Sequence, residues 1–336
     1  MKQMTEEQQR QNSRETERKG NRMRKELDFC FTVRGEKKED LGEDSFLIDT
    51  NDNAALISVF DGCGGSGARL YPEFGNRSGA YIASRAAAEA AFLWFTDWSR
   101  SMEESAAESL KRSIDGKLAV YQNTSQTVTQ LRSSLTRAFP TTLAAEILIP
   151  DPVNSGMVNV SCLWSGDSRC YILETSGLRQ VSVDDLPVTD AMQNLREDAA
   201  MLNVISASHR YEIHEQTLTI RKPCICITAT DGCFGYFKSP MEFEKILLGT
   251  LINARSIADW KNLLMQIWRS TAGDDFTICM AGLGFGDFET VQGSFRLRQS
   301  KIEKLYPHKA EMPESTLMAQ WEEYRTDYEQ YQRTER

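Results

Sequence analysis

Two apolar runs in this chain stop on the same phrase. Ala55-Leu56-Ile57-Ser58-Val59-Phe60 ends at Asp61-Gly62-Cys63-Gly64-Gly65, and Cys224-Ile225-Cys226-Ile227-Thr228-Ala229-Thr230 ends at Asp231-Gly232-Cys233. Each run has the length and composition of a buried strand that delivers a carboxylate at its end. The glycines that follow keep side chains clear of that carboxylate. A third acidic pair, Asp274-Asp275, opens the strand-like run Phe276-Thr277-Ile278-Cys279-Met280, and a fourth, Glu43-Asp44, precedes Ser45-Phe46-Leu47-Ile48. A fold that gathers these ends places several carboxylates at one edge, where they repel one another unless a cation neutralises them. Oxygen-only donors suit a hard cation such as Mg²⁺ or Mn²⁺.

A chain of 336 residues buries a substantial core. Its net charge of −9 argues against a nucleic-acid binder driven by bulk charge. A phosphorylated substrate remains compatible with that charge, because bound metal inverts the local field. None of the eight cysteines forms the C-x-x-C pair of a zinc finger. Residues 1–26 are charged throughout and lack the apolar segment of a secretion signal. Reduced thiols and a cytoplasmic location are the expectation. The most apolar helical stretch, 80–98, is broken by Arg85 and Glu89, so it reads as a core helix and no membrane span is expected.

The segmentation has three parts: a charged, disordered tail over 1–26, a main folded domain over 27–285 and a helical extension over 286–336. Within the domain, strands are expected at 27–33, 45–49, 54–60, 142–149, 157–164, 169–174, 211–220, 223–230 and 276–283. Gly166-Asp167-Ser168 makes the tight turn between two of them. Helices are expected at 80–98, 102–122, 127–139, 240–251 and 256–271, with helical spacing over 191–202 and a turn-rich stretch over 175–190. Strands and helices come in blocks without strict alternation, which indicates an α+β fold of antiparallel sheets between helical layers. In the extension, Leu317, Trp321, Tyr324, Tyr328 and Tyr331 form one helical stripe. It suits a helix laid on the domain's own surface, or one that docks a protein partner.

Six motifs stand in a fixed order: Glu43-Asp44; Asp61-Gly62-x-Gly64-Gly65; Thr141-Thr142-Leu143-Ala144; Gly166-Asp167-Ser168-Arg169; Thr230-Asp231-Gly232; and Asp274-Asp275-Phe276-Thr277. This set resembles the metal-dependent protein phosphatase 2C family, particularly its bacterial members, over about residues 27–285. The resemblance implies a four-layer α-β-β-α sandwich of two antiparallel sheets flanked by helix pairs. It implies a site for two Mn²⁺ or Mg²⁺ ions, with Asp61 bridging both and the carbonyl of Gly62 on one. Asp231 and Asp274 would bind the other, and Glu43 and Asp44 would hold waters bound to the metals. The activity implied is hydrolysis of phosphoserine and phosphothreonine in proteins by a water or hydroxide between the ions, in a monomeric enzyme.

The sequence departs from that pattern in several places. Position 63 is Cys where eukaryotic members have His, and a small filler is the plainer role for it. The phosphate-contacting Arg five residues before Asp44 is replaced by Glu39, which leaves Arg34 as the substrate-phosphate candidate. Residues 122–140 contain no acid, so no third metal is expected through that segment. An Asp-His pair of the family stands here as Asp184-Asp185. Gly166-Asp167-Ser168-Arg169 reads as architectural, with Arg169 pairing nearby acids. His209 and His214 read as surface or packing residues. Two other readings keep the same residues. One is a catalytically inactive phosphatase-like scaffold or phosphoprotein-binding module, and the other is a hydrolase of small phosphoesters.

Overall fold

The computed structural model describes residues 22–125, 137–197, 199–307 and 313–333. Residues 1–21 of the expected tail and 127–136 of the expected helix lie outside the described residues, whereas Arg22–Glu26 of that tail are not disordered but form a short helix that buries Met23 against the inter-sheet layer.

Ten strands make two five-stranded antiparallel sheets. They are β1 (Leu27–Gly35), β2 (Ser45–Thr50), β3 (Ala55–Phe60), β4 (Leu143–Pro150), β5 (Met157–Ser165), β6 (Arg169–Glu174), β7 (Gly177–Gln180), β8 (His214–Arg221), β9 (Cys224–Ala229) and β10 (Phe276–Leu283). One sheet runs β1-β10-β9-β6-β7 and the other β8-β5-β4-β3-β2. The two Asp-Gly runs are β3 and β9, and every residue of both is buried. Each lies inside its sheet, covered on one face by the opposite sheet and on the other by helices. That explains an unbroken apolar run where a half-exposed strand would alternate. β1 does alternate: Phe29, Phe31 and Val33 are buried toward the helices.

Helices α1 (Gly79–Ser101) and α2 (Ala106–Thr124) cover the sheet that contains β3. Ser78 and Ser105 cap them, each accepting a backbone N–H three residues on, and left-handed Met102 ends α1. That cap moves the second helix to 106–124 from the expected 102–122. The other sheet carries four helices: α3 (Pro240–Asn253), α4 (Ile257–Thr271), α5 (Phe288–Leu305) and α6 (Glu314–Tyr328). Apolar side chains fill three layers, one under each set of helices and one between the sheets. The architecture is the expected sandwich of two antiparallel sheets between helices, thicker on one side.

The turn at 166–168 joins strands of different sheets: β5 pairs with β4 and β8, whereas β6 pairs with β9 and β7. The chain crosses the sandwich there. The expected turn-rich stretch 175–190 contains β7, an edge strand too short to show alternation. The helical spacing over 191–202 yields a single turn, Ala191–Asn194. Asp190 caps it, and Asn194 then donates to Asp184 while Leu202 N–H bonds to Asp185, so the chain leaves the helical path. The aromatic stripe of α6 lies on the protein's own body, with Trp321, Tyr324 and Tyr328 buried against the layer under α3 and α5. Among the described residues no helix is long and apolar enough to cross a membrane.

Candidate active site

The sandwich brings the acidic strand ends to one edge. Asp61 follows β3, and its backbone is fixed by the Thr-Thr motif. Thr142 N–H donates to the Asp61 carbonyl at 2.8 Å, Thr141 Oγ1 donates to the same oxygen at 2.9 Å, and Asp61 N–H donates to Thr142 Oγ1 at 3.2 Å. Thr142 Oγ1 also meets Ser168 Oγ at 2.7 Å, which ties the 166–168 turn to the same platform. Gly62 is needed for close approach, since a Cβ there would stand 2.6 Å from the Ala80 carbonyl oxygen. Gly232 is tighter still, with a Cβ falling 1.8 Å from the Asp275 carbonyl oxygen.

Asp231 follows β9. Its carbonyl accepts from the N–H groups of Phe234 and Gly235, which turns the chain away sharply. Thr230, just before it, is bonded in both directions to Thr277 of β10, and its hydroxyl donates to Asp44 Oδ2 at 3.0 Å. Asp275 does not aim at the other carboxylates. Its two oxygens accept the N–H groups of Lys37 at 2.7 Å and Glu43 at 2.6 Å, which holds the 36–43 loop over the edge. Glu43 accepts a bond from Ser78 Oγ at the start of α1.

Electrostatics show how close these groups are. Burial, then the charges of Asp44, Asp231 and Asp167, push the Asp61 carboxyl well above the usual range. Burial raises Asp231 too, with Asp274 adding to it. Asp44 is pushed up to about 7 by burial and by Asp275 and Asp231, against the bond from Thr230. Its Oδ1 is buried without a partner. Glu43 is raised by burial and by Asp275 and Asp274. Asp44, Asp61 and Asp231 thus interact with one another, and Asp274 links Asp231 to Glu43.

Asp167 belongs with them and was read as part of a turn. Burial and the charges of Asp231 and Asp184 raise it to about 8. The available signal was its position: Leu163-Trp164-Ser165-Gly166-Asp167 also ends an apolar strand on an acid beside glycine. Arg169 pairs with Asp184, Nη2 to Oδ2 at 2.6 Å, and both are buried. Its charge lowers Asp167 and Asp231 against the larger effect of burial.

A groove of about 370 Å³ opens beside the cluster, lined by Lys37, Lys38, Glu43, Arg77, Tyr81 and Asp274 among others. Arg34 does not line it; its guanidinium pairs with Glu36 at 2.7 Å. Cys63 sits beside the cluster, its Sγ 3.9 Å from the Asp61 carbonyl oxygen. Burial and the charges of Asp61 and Asp167 raise its thiol well above the ordinary value, so it keeps its proton at neutral pH. His214 packs on Trp164 and bonds through Nε2 to Asp185 Oδ1 at 2.8 Å. Asp185 Oδ2 accepts Gly166 N–H at 2.9 Å, so this pair steadies the turn that carries Asp167.

The donor set fits hard divalent cations. It consists of carboxylates, a glycine carbonyl free of a Cβ, and one orphaned buried carboxylate oxygen, in a cluster that must otherwise hold protons.

No family model matches the sequence, and no curated protein matches it. The fold has solved counterparts. A bacterial serine phosphatase superposes with a TM-score of 0.56 over 77% of this chain and 98% of that one, at 16% identity. The serine/threonine phosphatase PstP/Ppp of Mycobacterium tuberculosis gives 0.54 over 76% and 98%, at 14% identity. Stp1 from Staphylococcus aureus gives 0.52 over 77% and 95%, at 17% identity. The chain therefore has the fold of bacterial PPM-type serine/threonine phosphatases, the architecture its ordered motifs led to expect. At these identities the likeness is one of fold.

Proposed function

We propose that this chain is a metal-dependent phosphatase that hydrolyses phosphoserine and phosphothreonine in proteins. The observation that carries the reading is the convergence of Asp61, Asp231, Asp167 and Asp44 on one edge, from four separate segments, with Asp274 and Glu43 beside them. A structural role does not require carboxylates that raise one another's pKa. When bound, two Mn²⁺ or Mg²⁺ ions supply charge neutralisation, polarise the phosphoryl oxygens and activate a water.

The protein's part is to hold and to orient. Asp61, Asp231 and Asp274 would be the carboxylate ligands, with the carbonyl of Gly62 beside them. Asp44 and Glu43 would orient water at the ions, a use for the unpartnered Asp44 Oδ1. Lys37, Lys38 and Arg77 line the groove where a phosphopeptide lies and offset its negative charge. Arg34 reaches a phosphate only by leaving Glu36. Cys63 stays a neutral thiol, and protonation of the departing alkoxide falls to solvent.

Initial rates on phosphothreonine peptides and on small aryl phosphates, with and without Mn²⁺, test this. Metal-dependent turnover with kcat/KM favouring the peptide supports it. Preference for the small ester would move the substrate class. No turnover on either and no metal uptake would favour a phosphoprotein-binding scaffold.

A further inference from the structure

The interior between the sheets holds a second polar cluster, independent of the edge. Glu146 lies on β4 between Ala144 and Leu148, both of which face the inter-sheet layer, and it is completely buried. Cys162 stands directly opposite it on β5, and Cys170 comes from β6 in the other sheet. Both thiols are also completely buried. One ligand atom from each of the three lies within 4.8 Å of the other two. Cys162 Sγ is 3.8 Å from Glu146 Oε1, a weak bond, and Oε2 has no partner at all.

This arrangement is costly as it stands. A carboxyl group in an apolar layer with an unpaired oxygen is far less stable than the leucine or valine such a strand position ordinarily carries. Burial drives Glu146 well above the carboxylate range, and Cys162 likewise rises, with Glu146 and Cys226 adding to the effect. A cation between them removes both penalties.

We propose that Glu146, Cys162 and Cys170 form a structural zinc site that fastens the two sheets together. Zinc bonds to thiolate sulfur at about 2.3 Å and to carboxylate oxygen at about 2.1 Å, which at tetrahedral angles separates ligand atoms by about 3.5–3.8 Å. The observed span needs only a small contraction to reach that. Cys226 on β9 interacts electrostatically with both Glu146 and Cys162 but stands outside their 4.8 Å cluster, so the fourth donor atom falls to the unpaired Glu146 Oε2. Binding releases the thiol and carboxyl protons to solvent; two thiolates and a carboxylate against Zn²⁺ leave one net negative charge. Soft sulfur donors select zinc here, whereas the all-oxygen edge selects Mg²⁺ or Mn²⁺. With no opening to solvent at these residues, the ion enters before the sandwich closes.

The test uses the full chain, refolded in the presence of ZnCl₂ and dialysed against EDTA, with metal content read by mass spectrometry. The proposal predicts one zinc per chain retained, with sulfur and oxygen scatterers in its X-ray absorption spectrum. Asp231→Asn keeps that zinc, whereas Glu146→Gln and the double variant Cys162→Ser/Cys170→Ser lose it. Should those variants fail to fold, Co²⁺ refolded into the unaltered chain reports thiolate ligation by its near-ultraviolet charge-transfer band. Three results would each overturn the proposal: no zinc or cobalt taken up, zinc retained by the double variant, or a disulfide between Cys162 and Cys170. A protonated-carboxyl infrared band that disappears in Glu146→Gln would assign the pocket to a neutral acid instead.

Discussion

At the edge of the sandwich, Asp61, Asp231, Asp167 and Asp44 crowd together, beside a groove that Glu43 and Asp274 line. Between the sheets, Glu146 stands sealed among thiols. Both places raise carboxyl pKa values by burial, but the partners differ. The edge acids raise one another, and a backbone platform of Thr141, Thr142, Thr230 and Thr277 holds them in place. Among the described residues, no trio of edge carboxylate oxygens comes within the 4.8 Å span that Glu146, Cys162 and Cys170 share. On the proposed reading, the edge would exchange ions and admit substrate, and the interior would keep one ion. Donor chemistry and access together, more than the number of acids, separate a working site from a staple.

The comparison can be broken by mutation. Asp61→Asn should lower phosphopeptide hydrolysis by about a hundredfold to a thousandfold, the scale of losing one preorganised electrostatic group. In EDTA the same substitution should raise the melting temperature above about pH 4, because the unfolded chain no longer gains by ionising a carboxyl that the folded cluster holds well above its ordinary range. Glu146→Gln should instead lower the melting temperature of the zinc-loaded protein, and opposite signs are what distinguish the two sites. If both substitutions shift melting in the same direction, the distinction fails.

Next in size is the C-terminal helix. Trp321 is completely buried, and its indole N–H donates to Asp190 Oδ2 at 3.1 Å. Trp321→Ala should cost about 3–5 kcal/mol in denaturant unfolding. A loss under about 1 kcal/mol would mean that the helix is a detachable arm, free to dock a partner.

The pH dependence of stability should follow the edge acids. Asp44 at about 7 and Asp167 at about 8 hold protons in the folded state that the unfolded chain releases near pH 4. Between those limits the native state binds more protons, so stability in EDTA falls as pH rises from about 4 through 8. Mn²⁺ should flatten that slope by displacing the protons. Melting curves across this range, with and without Mn²⁺, read both effects. The smallest change is expected at Cys63: Cys63→Ala should alter kcat by no more than about threefold, since the thiol is a neutral filler.

What was legible in the sequence follows from burial. β3 and β9 announced themselves because central strands covered on both faces need unbroken apolar runs that end abruptly. Asp274 and Glu43-Asp44 were visible as acidic pairs placed just before strand-like runs. Asp167 was passed over because a Gly-Asp-Ser turn is common, and nothing local says that this turn crosses between sheets. β7 has only four residues, too few to alternate. Glu146 hides inside Leu143-Ala144-Ala145-Glu146-Ile147-Leu148, where one acid does not disturb a strand pattern. Its meaning depends on Cys170, which only the facing sheet supplies. The stripe of α6 was visible as a period, but what covers it is a tertiary fact.

The most direct test of the central claim is Mn²⁺-dependent hydrolysis of a phosphothreonine peptide by the intact chain, beside Asp231→Asn, with Mn²⁺ binding measured by calorimetry on both. The account predicts turnover that needs Mn²⁺, and a loss of both tight Mn²⁺ binding and turnover in the variant. Turnover that survives in EDTA, or an Asp231→Asn protein that binds Mn²⁺ and hydrolyses the peptide as the unaltered chain does, would contradict it.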